Sequence, residues 1–371
     1  MHKETQAIHA AMDAAGKSPD IVPPIHRSTV YEINKKGRSG EDWHYTRLDN
    51  PNRVQWEHVL KVLEEGEAAA AFSSGVAAAS AIFQSLRPGD HVIIPEDVYA
   101  GNRLLVKEVM EPWGLQTDFT DMTDLENIER HFRENTRLIW LETPSNPLMN
   151  IMDIEAVATL ARDRDMLVCV DNTWPTPINQ LPLKLGADLV VHSTTKYFGG
   201  HSDILGGAVI AREKGAFFDN LRTVQRTGGA VPSPDDCWML ARSTRTLPYR
   251  MRAHNENALR LARYLEEHPN VLDVYYPGLS SHEGHEVARR QMSGFGGMIS
   301  FLVEGGAREA VGMVGKAELI GRATSLGGVE STWEHRRSSE GEGSITPENL
   351  IRISVGLEHP DDLLEDLERA L

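Results

Sequence analysis

The chain has 371 residues, of which 40% are hydrophobic and 25% charged, with a formal net charge of −16 and two cysteines. That length is too great for one small core and points to two units, while the acidic balance argues against nucleic acid and against an anionic membrane surface, which both need a basic face. Cys169 and Cys237 make no disulfide framework, MHKETQAIHAAMDAAGKSPD carries no apolar signal core, and no run is long enough to span a bilayer, so a cytoplasmic soluble protein is expected.

Residues 1–44 show weak periodicity, with Pro23-Pro24 and a glycine-rich turn from Gly37 to Gly40, and read as an extended arm. In YTRLDNPN (45–52), Asn50-Pro51 marks a turn. A helix follows, with Trp56, Val59, Leu60 and Leu63 on one face. If Tyr45 and Arg47 lie on extended backbone they point the same way; a packed tyrosine beside a solvated arginine fits the composition equally. Residues 68–86 run from small residues through Ser73-Ser74-Gly75 into an apolar helix. The start of such a helix offers free N–H groups and positive dipole to an anion, although a capped helix without a ligand reads the same way. After a breaker at Arg87 to Asp90, strand HVIIP (91–95) leads to DVYAGNRLL.

Alternating units come next: helix 124–132, strand 137–142, loop TPSNP, helix 153–164 and strand 166–170. Strands separated by helical patterns indicate βαβ units and a mainly parallel sheet, with functional residues at the C-terminal ends of strands. Asn146 and Asp171 occupy such ends. A carboxylate straight after five apolar residues needs a partner, or else serves as a helix cap or turn former.

DLVVHSTTKYFGGHS (188–202) starts as a buried strand and delivers Ser193, Thr194, Thr195 and Lys196 before Gly199-Gly200. Desolvation lowers the pKa of a lysine placed there, and such an amine can form a Schiff base. The hydroxyls suit a phosphate, and the glycines admit a bulky planar group. Position and spacing alone leave a surface lysine equally open.

Taken together, residues 188–202 resemble the pyridoxal-phosphate (PLP) attachment signature of the Cys/Met-metabolism enzymes, the family of cystathionine γ-synthase, cystathionine γ-lyase and methionine γ-lyase. The resemblance continues through YTR, SSG, VDNTW, SLGG and RISVGLE, which covers nearly the whole chain. It implies the aspartate-aminotransferase-like (fold type I) α/β fold with PLP as cofactor. It also implies a homodimer with shared active sites, commonly assembled as a homotetramer. On this likeness Lys196 carries PLP, Asp171 meets the pyridine nitrogen, and Gly75, Val76, Ser193 and Thr195 meet the phosphate. Tyr45 and Arg47 reach the phosphate of the partner's site. Tyr99 stacks on the ring and passes protons, with both Tyr99 and Lys196 shifted downward in pKa. Arg352 and Asn146 take the substrate α-carboxylate, beside Ser325. Two departures stand out. The usual Tyr-Gly-Gly-Thr run stands here as Tyr99-Ala100-Gly101-Asn102, so the loop beyond Tyr99 is expected to be shaped differently. The acidic residues that meet the distal ammonium of cystathionine are replaced by His44 and Thr324.

Past the lysine come strand 206–211, a glycine- and proline-broken loop, and a long helix with Ala258, Leu261, Ala262 and Leu265 on one face. The arm (1–44), a large PLP-binding domain (45–242) and a small α/β domain (243–371) are expected. The small domain should hold strands at 271–277 and 296–304 and a last helix bearing Leu364, Leu367 and Leu371. TWEHRRSSEGEGS is shorter and more charged than the family's usual run. HEGHE (282–286) lacks the i, i+4 histidine spacing of a zinc helix, so no metal is expected. The implied activity is γ- or β-elimination on sulfur-containing amino acids. γ-Replacement on O-acyl-homoserine is the alternative, and a non-catalytic PLP-fold regulator a remote one.

Overall fold

A computed structural model describes residues 1–14, 20–33, 43–341 and 344–371; the turn expected from Gly37 to Gly40 lies outside them. The segment expected to be an arm begins instead with a helix, α1 (Lys3–Asp13). Ala7, Ala10 and Ala11, at helical spacing, are buried against the next helix, α2 (Pro51–Glu64). Small alanines give little periodic contrast, which hides this helix in the sequence. Asn50 caps α2, Pro51 fills its first position, and Trp56, Val59, Leu60 and Leu63 are fully buried as expected.

Among the described residues twelve strands form two sheets. The first seven are β1 (Ala68–Phe72), β2 (His91–Pro95), β3 (Gln116–Thr120), β4 (Thr136–Glu142), β5 (Leu167–Asp171), β6 (Leu189–Ser193) and β7 (Gly207–Ala211). They lie in the order β1-β7-β6-β5-β4-β2-β3. Pairs from β3 to β6 are parallel, and β7 runs antiparallel to both β6 and β1. The run AAAAF of β1 has weak strand propensity, but burial of all five residues under its neighbours decides its state. A helix at Ala216–Gly228, in a stretch without an expected element, packs on this sheet.

The second sheet holds β8 (Val271–Tyr275), β9 (Met298–Val303), β10 (Gly321–Arg322), β11 (Thr332–His335) and β12 (Leu350–Ser354), in the order β10-β11-β12-β9-β8. The long helix Leu247–Glu267 buries Ala258, Leu261, Ala262 and Leu265 against this sheet and the last helix, Pro360–Ala370. That last helix turns Leu363, Leu367 and Ala370 inward, leaving Leu364 and Leu371 half-buried at the flank. Among the described residues no helix is long and apolar enough to cross a membrane.

Candidate active site

The C-terminal ends of β4, β5 and β6 open into a cleft of about 250 Å³. Its walls include Gly75, Val76, Tyr99, Asn146, Asp171, Ser193, Thr195, Lys196, Thr324, Ser325 and Arg352, so eleven of the expected residues converge. Glu142, Asn102, Thr173, Trp174 and Arg336 join them without having been expected.

One wall is the start of α3 (Gly75–Gln84). Ser74 caps it, its Oγ accepting from Ala77 N at 3.1 Å and its carbonyl from Ala78 N. The first turn of a helix leaves four N–H groups unpaired, and these two bonds leave those of Gly75 and Val76 open. A Cβ on Gly75 would lie 2.8 Å from Ser193 Cβ, so glycine lets the helix start abut the end of β6. The Ser193 hydroxyl has no hydrogen-bond partner among the described residues. Thr195 Oγ1 is instead engaged with the backbone of Gly206, accepting its N–H at 3.0 Å. The sequence left both hydroxyls equivalent; the fold separates them.

Lys196 stands in the turn after β6, half-buried, its Nζ donating to Ser325 Oγ at 2.6 Å. Ser325 holds a positive φ of 80°, a costly backbone for a serine. Burial, followed by the nearby cations Arg352 and Arg336, lowers the Lys196 pKa to about 8. Behind the turn, His192 of β6 and Glu64 of α2 form a fully buried pair at 2.6 Å. This pair ties the lysine-bearing strand to α2.

Asp171 ends β5. Its Oδ1 accepts from Thr173 N at 3.0 Å, and desolvation raises its pKa. Glu142, its in-register neighbour on β4, accepts from Tyr99 N at 2.9 Å through Oε2. Burial, and then the charge of Asp171, push Glu142 well above the ordinary carboxylate range. Tyr99 precedes the short helix α4 (Ala100–Leu105) directly and keeps its ring exposed at the cleft mouth.

Arg352, on β12, is 3% exposed. Its Nη1 donates to Asn146 Oδ1 at 2.7 Å, and its Nη2 donates to Glu334, which it opposes across the β11–β12 register. The Trp174 ring centre lies 5.9 Å from its guanidinium. Desolvation, then Arg336, bring Arg352 down to about 10.

Tyr45, Arg47 and His44 stay outside this cleft. Tyr45 bridges to Val30 and then enters a turn, with Leu48 N and Asp49 N both donating to its carbonyl, so the segment is a turn rather than extended backbone. The Arg47 guanidinium still lies 5.5 Å from the Tyr45 ring centre, on the exposed surface. HEGHE divides at the start of a helix: His285 Nδ1 meets the Pro277 carbonyl, and His282 Nδ1 accepts from Gly284 N.

Residues 4–371 match the family model described as Cys/Met metabolism PLP-dependent enzyme. The cystathionine gamma-synthase of Mycobacterium tuberculosis is 44% identical over 373 residues, spanning 99% of this chain and 96% of that protein. The cystathionine gamma-lyase of Bacillus subtilis is 42% identical over 381 residues, spanning 100% and 99%. The crystal structure of metB from Corynebacterium glutamicum superposes with a TM-score of 0.97 at 41% identity, covering 100% of this chain and 98% of that one.

Proposed function

The chain belongs to the Cys/Met metabolism PLP-dependent enzyme family, and we propose that it performs PLP-dependent γ- or β-elimination on sulfur-containing amino acids, as a lyase of the cystathionine and methionine type. The observation that carries this reading is the convergence of Lys196, Asp171 and Arg352 on one cleft. Lys196 is an amine half neutral near pH 8, Asp171 a desolvated carboxylate, and Arg352 a buried guanidinium.

The donor set fits PLP. The open N–H groups of Gly75 and Val76 and the free Ser193 hydroxyl suit its phosphate, Asp171 suits a protonated ring nitrogen, and Lys196 suits its aldehyde. When bound, PLP supplies an electron sink for negative charge at the substrate α-carbon. Arg352 and Asn146 then orient the α-carboxylate by charge-assisted hydrogen bonds. The Lys196 amine, at a pKa matched to neutral conditions, takes the α-proton and returns it at a neighbouring carbon. Asp171 keeps the ring nitrogen protonated, and Tyr99 stands at the mouth to protonate the departing group. Tyr45 and Arg47, exposed outside their own cleft, serve the partner's phosphate in a homodimer with shared sites, itself paired into a homotetramer of the cytoplasm.

γ-Replacement on an O-acyl-homoserine is the second reading. Thr324 at the cleft rim favours it, because it offers no charge to the distal ammonium of cystathionine. An absorbance scan of the PLP-loaded protein with L-cystathionine, L-methionine and O-acyl-L-homoserines, assaying 2-oxo acid and thiol, decides between them. Release of 2-oxobutanoate from a thioether supports elimination. Turnover of an acyl-homoserine that requires an added thiol supports replacement. A protein that takes up no PLP removes Lys196 as the anchor and both readings with it.

A further inference from the structure

Two guanidinium groups line the cleft, and a substrate α-carboxylate occupies one of them. The other is Arg336, which follows β11 directly and is 5% exposed. Its Nε donates to Glu340 Oε1 at 2.9 Å and its Nη1 to Glu334 Oε1 at 3.2 Å. The same Glu334 oxygen accepts from Arg352 Nη2, so one carboxylate oxygen holds both arginines side by side. A guanidinium has five donors. Nη2 of Arg336 has no hydrogen-bond partner among the described residues. An arginine that merely anchored its segment would be served by two carboxylates without presenting a donor edge to the cleft. Nη2 is not one of the fully buried unpaired atoms, so it keeps contact with solvent and can exchange water for an acceptor that enters the cleft. Glu142 and Lys196, also on the cleft wall, both feel the Arg336 charge, which places that charge among the reacting groups.

We infer that Arg336 is a specificity-determining residue whose free guanidinium edge receives a second carboxylate, carried by the group attached at the substrate γ-carbon. The assignment rests on the reading above, in which Arg352 takes the α-carboxylate. The ligand class is a dicarboxylic amino acid, whether its second carboxylate comes from a thioether-linked amino acid or from a diacid ester. The distal ammonium adds nothing, since Thr324 and His44 carry no fixed negative charge. The charged run that departs from the family's usual pattern thereby has a use: it brings a cation to the wall that selects the leaving group.

The test is calorimetric binding to the PLP-loaded protein of two analogues that lack a leaving group, L-2-aminosuberate and L-2-aminooctanoate, which differ in the terminal carboxylate. Wild type is expected to favour aminosuberate by roughly ten- to a hundredfold, the range of a charge-assisted hydrogen bond. Arg336→Gln should erase that preference, so that the two analogues bind alike in the variant, and Arg336→Lys should retain part of it. Retained aminooctanoate binding also reports an intact fold. Equal affinity in wild type, a preference that survives Arg336→Gln, or an equal loss for both analogues overturns the assignment. A wild type that binds neither analogue sinks the functional reading as well. Turnover separates the two carriers: Arg336→Gln should lower kcat/KM for L-cystathionine, for O-succinyl-L-homoserine, or for both. An equal fall on O-acetyl-L-homoserine overturns the assignment.

Discussion

Glu142 and Asp171 lie side by side on β4 and β5, paired in register, with both carboxylates on the cleft wall. Burial raises both, and the Asp171 charge raises Glu142 further. The folded chain therefore binds more protons than the unfolded one above the ordinary carboxylate range. The contribution of these two groups to stability falls as pH rises from that range toward the elevated values. Each tenfold gain in proton affinity corresponds to about 1.4 kcal/mol. Urea denaturation of PLP-free protein between pH 5 and 8 should show wild type losing stability relative to Glu142→Gln as pH rises. A difference between the two that stays constant or runs the other way would contradict the account.

For Lys196 the sign reverses. Its pKa is lowered to about 8, so the folded state binds fewer protons than the unfolded one from there to the ordinary lysine value, and its contribution to stability rises with pH in that interval. The neutral amine is also the reactive form. The rate at which PLP recombines with the apoprotein, followed by its visible absorbance, should climb through pH 8 and level off above it. Arg336→Gln removes a neighbouring cation and should move this inflection upward. Lys196→Ala should take up no covalently held PLP.

Arg352 should be felt mainly in substrate binding. Arg352→Lys keeps a charge but loses the planar fork that spans Asn146 and Glu334. Loss of a charge-assisted hydrogen bond costs about 1.5–3 kcal/mol, which is roughly a ten- to hundredfold fall in kcat/KM. Steady-state kinetics should show the larger part of it in KM.

Gly101 separates stability from activity. It lies within α4, and a Cβ added there would collide with the Tyr99 ring. Gly101 sits in the first turn of this helix at an ordinary negative φ, so alanine is tolerated by the backbone there. Gly101→Ala should therefore leave Tm unchanged or higher while turnover drops through displacement of the tyrosine. A normal kcat would show that the Tyr99 ring has no part in the chemistry.

Shared sites have a direct signature. Lys196→Ala and Arg47→Ala should each be nearly inactive alone, since each lacks one half of every site. If the sites are shared as proposed, random pairing after subunit exchange gives half hybrid dimers with one intact site each, hence roughly a quarter of wild-type activity. No recovery on mixing would place Arg47 outside the partner's site.

What could be read beforehand was whatever local pattern specifies. Lys196 follows a β-branched run, Asp171 ends another, and Asn50-Pro51 opens α2, so each was placed from its own neighbours. The run TWEHRRSSEGEGS was expected at a wall of the site, but which of its charged residues enter the cleft was not legible. Only the register of β11 against β12 turns Glu334 toward Arg352 and brings Arg336 with it. Glu142 was hidden for a related reason. A carboxylate closing an apolar strand is unremarkable until the parallel neighbour sets Asp171 beside it. The helix α1 escaped because its inward face is alanine, and β1 because its buried run is too.

Among the described strands the one bearing Arg352 comes last in chain order, yet it occupies the middle of its sheet, between β11 and β9. During translation β8 and β9 emerge first and must wait with an open hydrogen-bonding edge until the chain reaches Leu350. Unpaired strand edges of this kind invite association with other chains. The newborn protein is thus open to aggregation in the interval before β12 leaves the ribosome. A premature stop just upstream of β12 would be harmful for two separate reasons: it deletes the arginine, and it leaves that edge permanently uncovered.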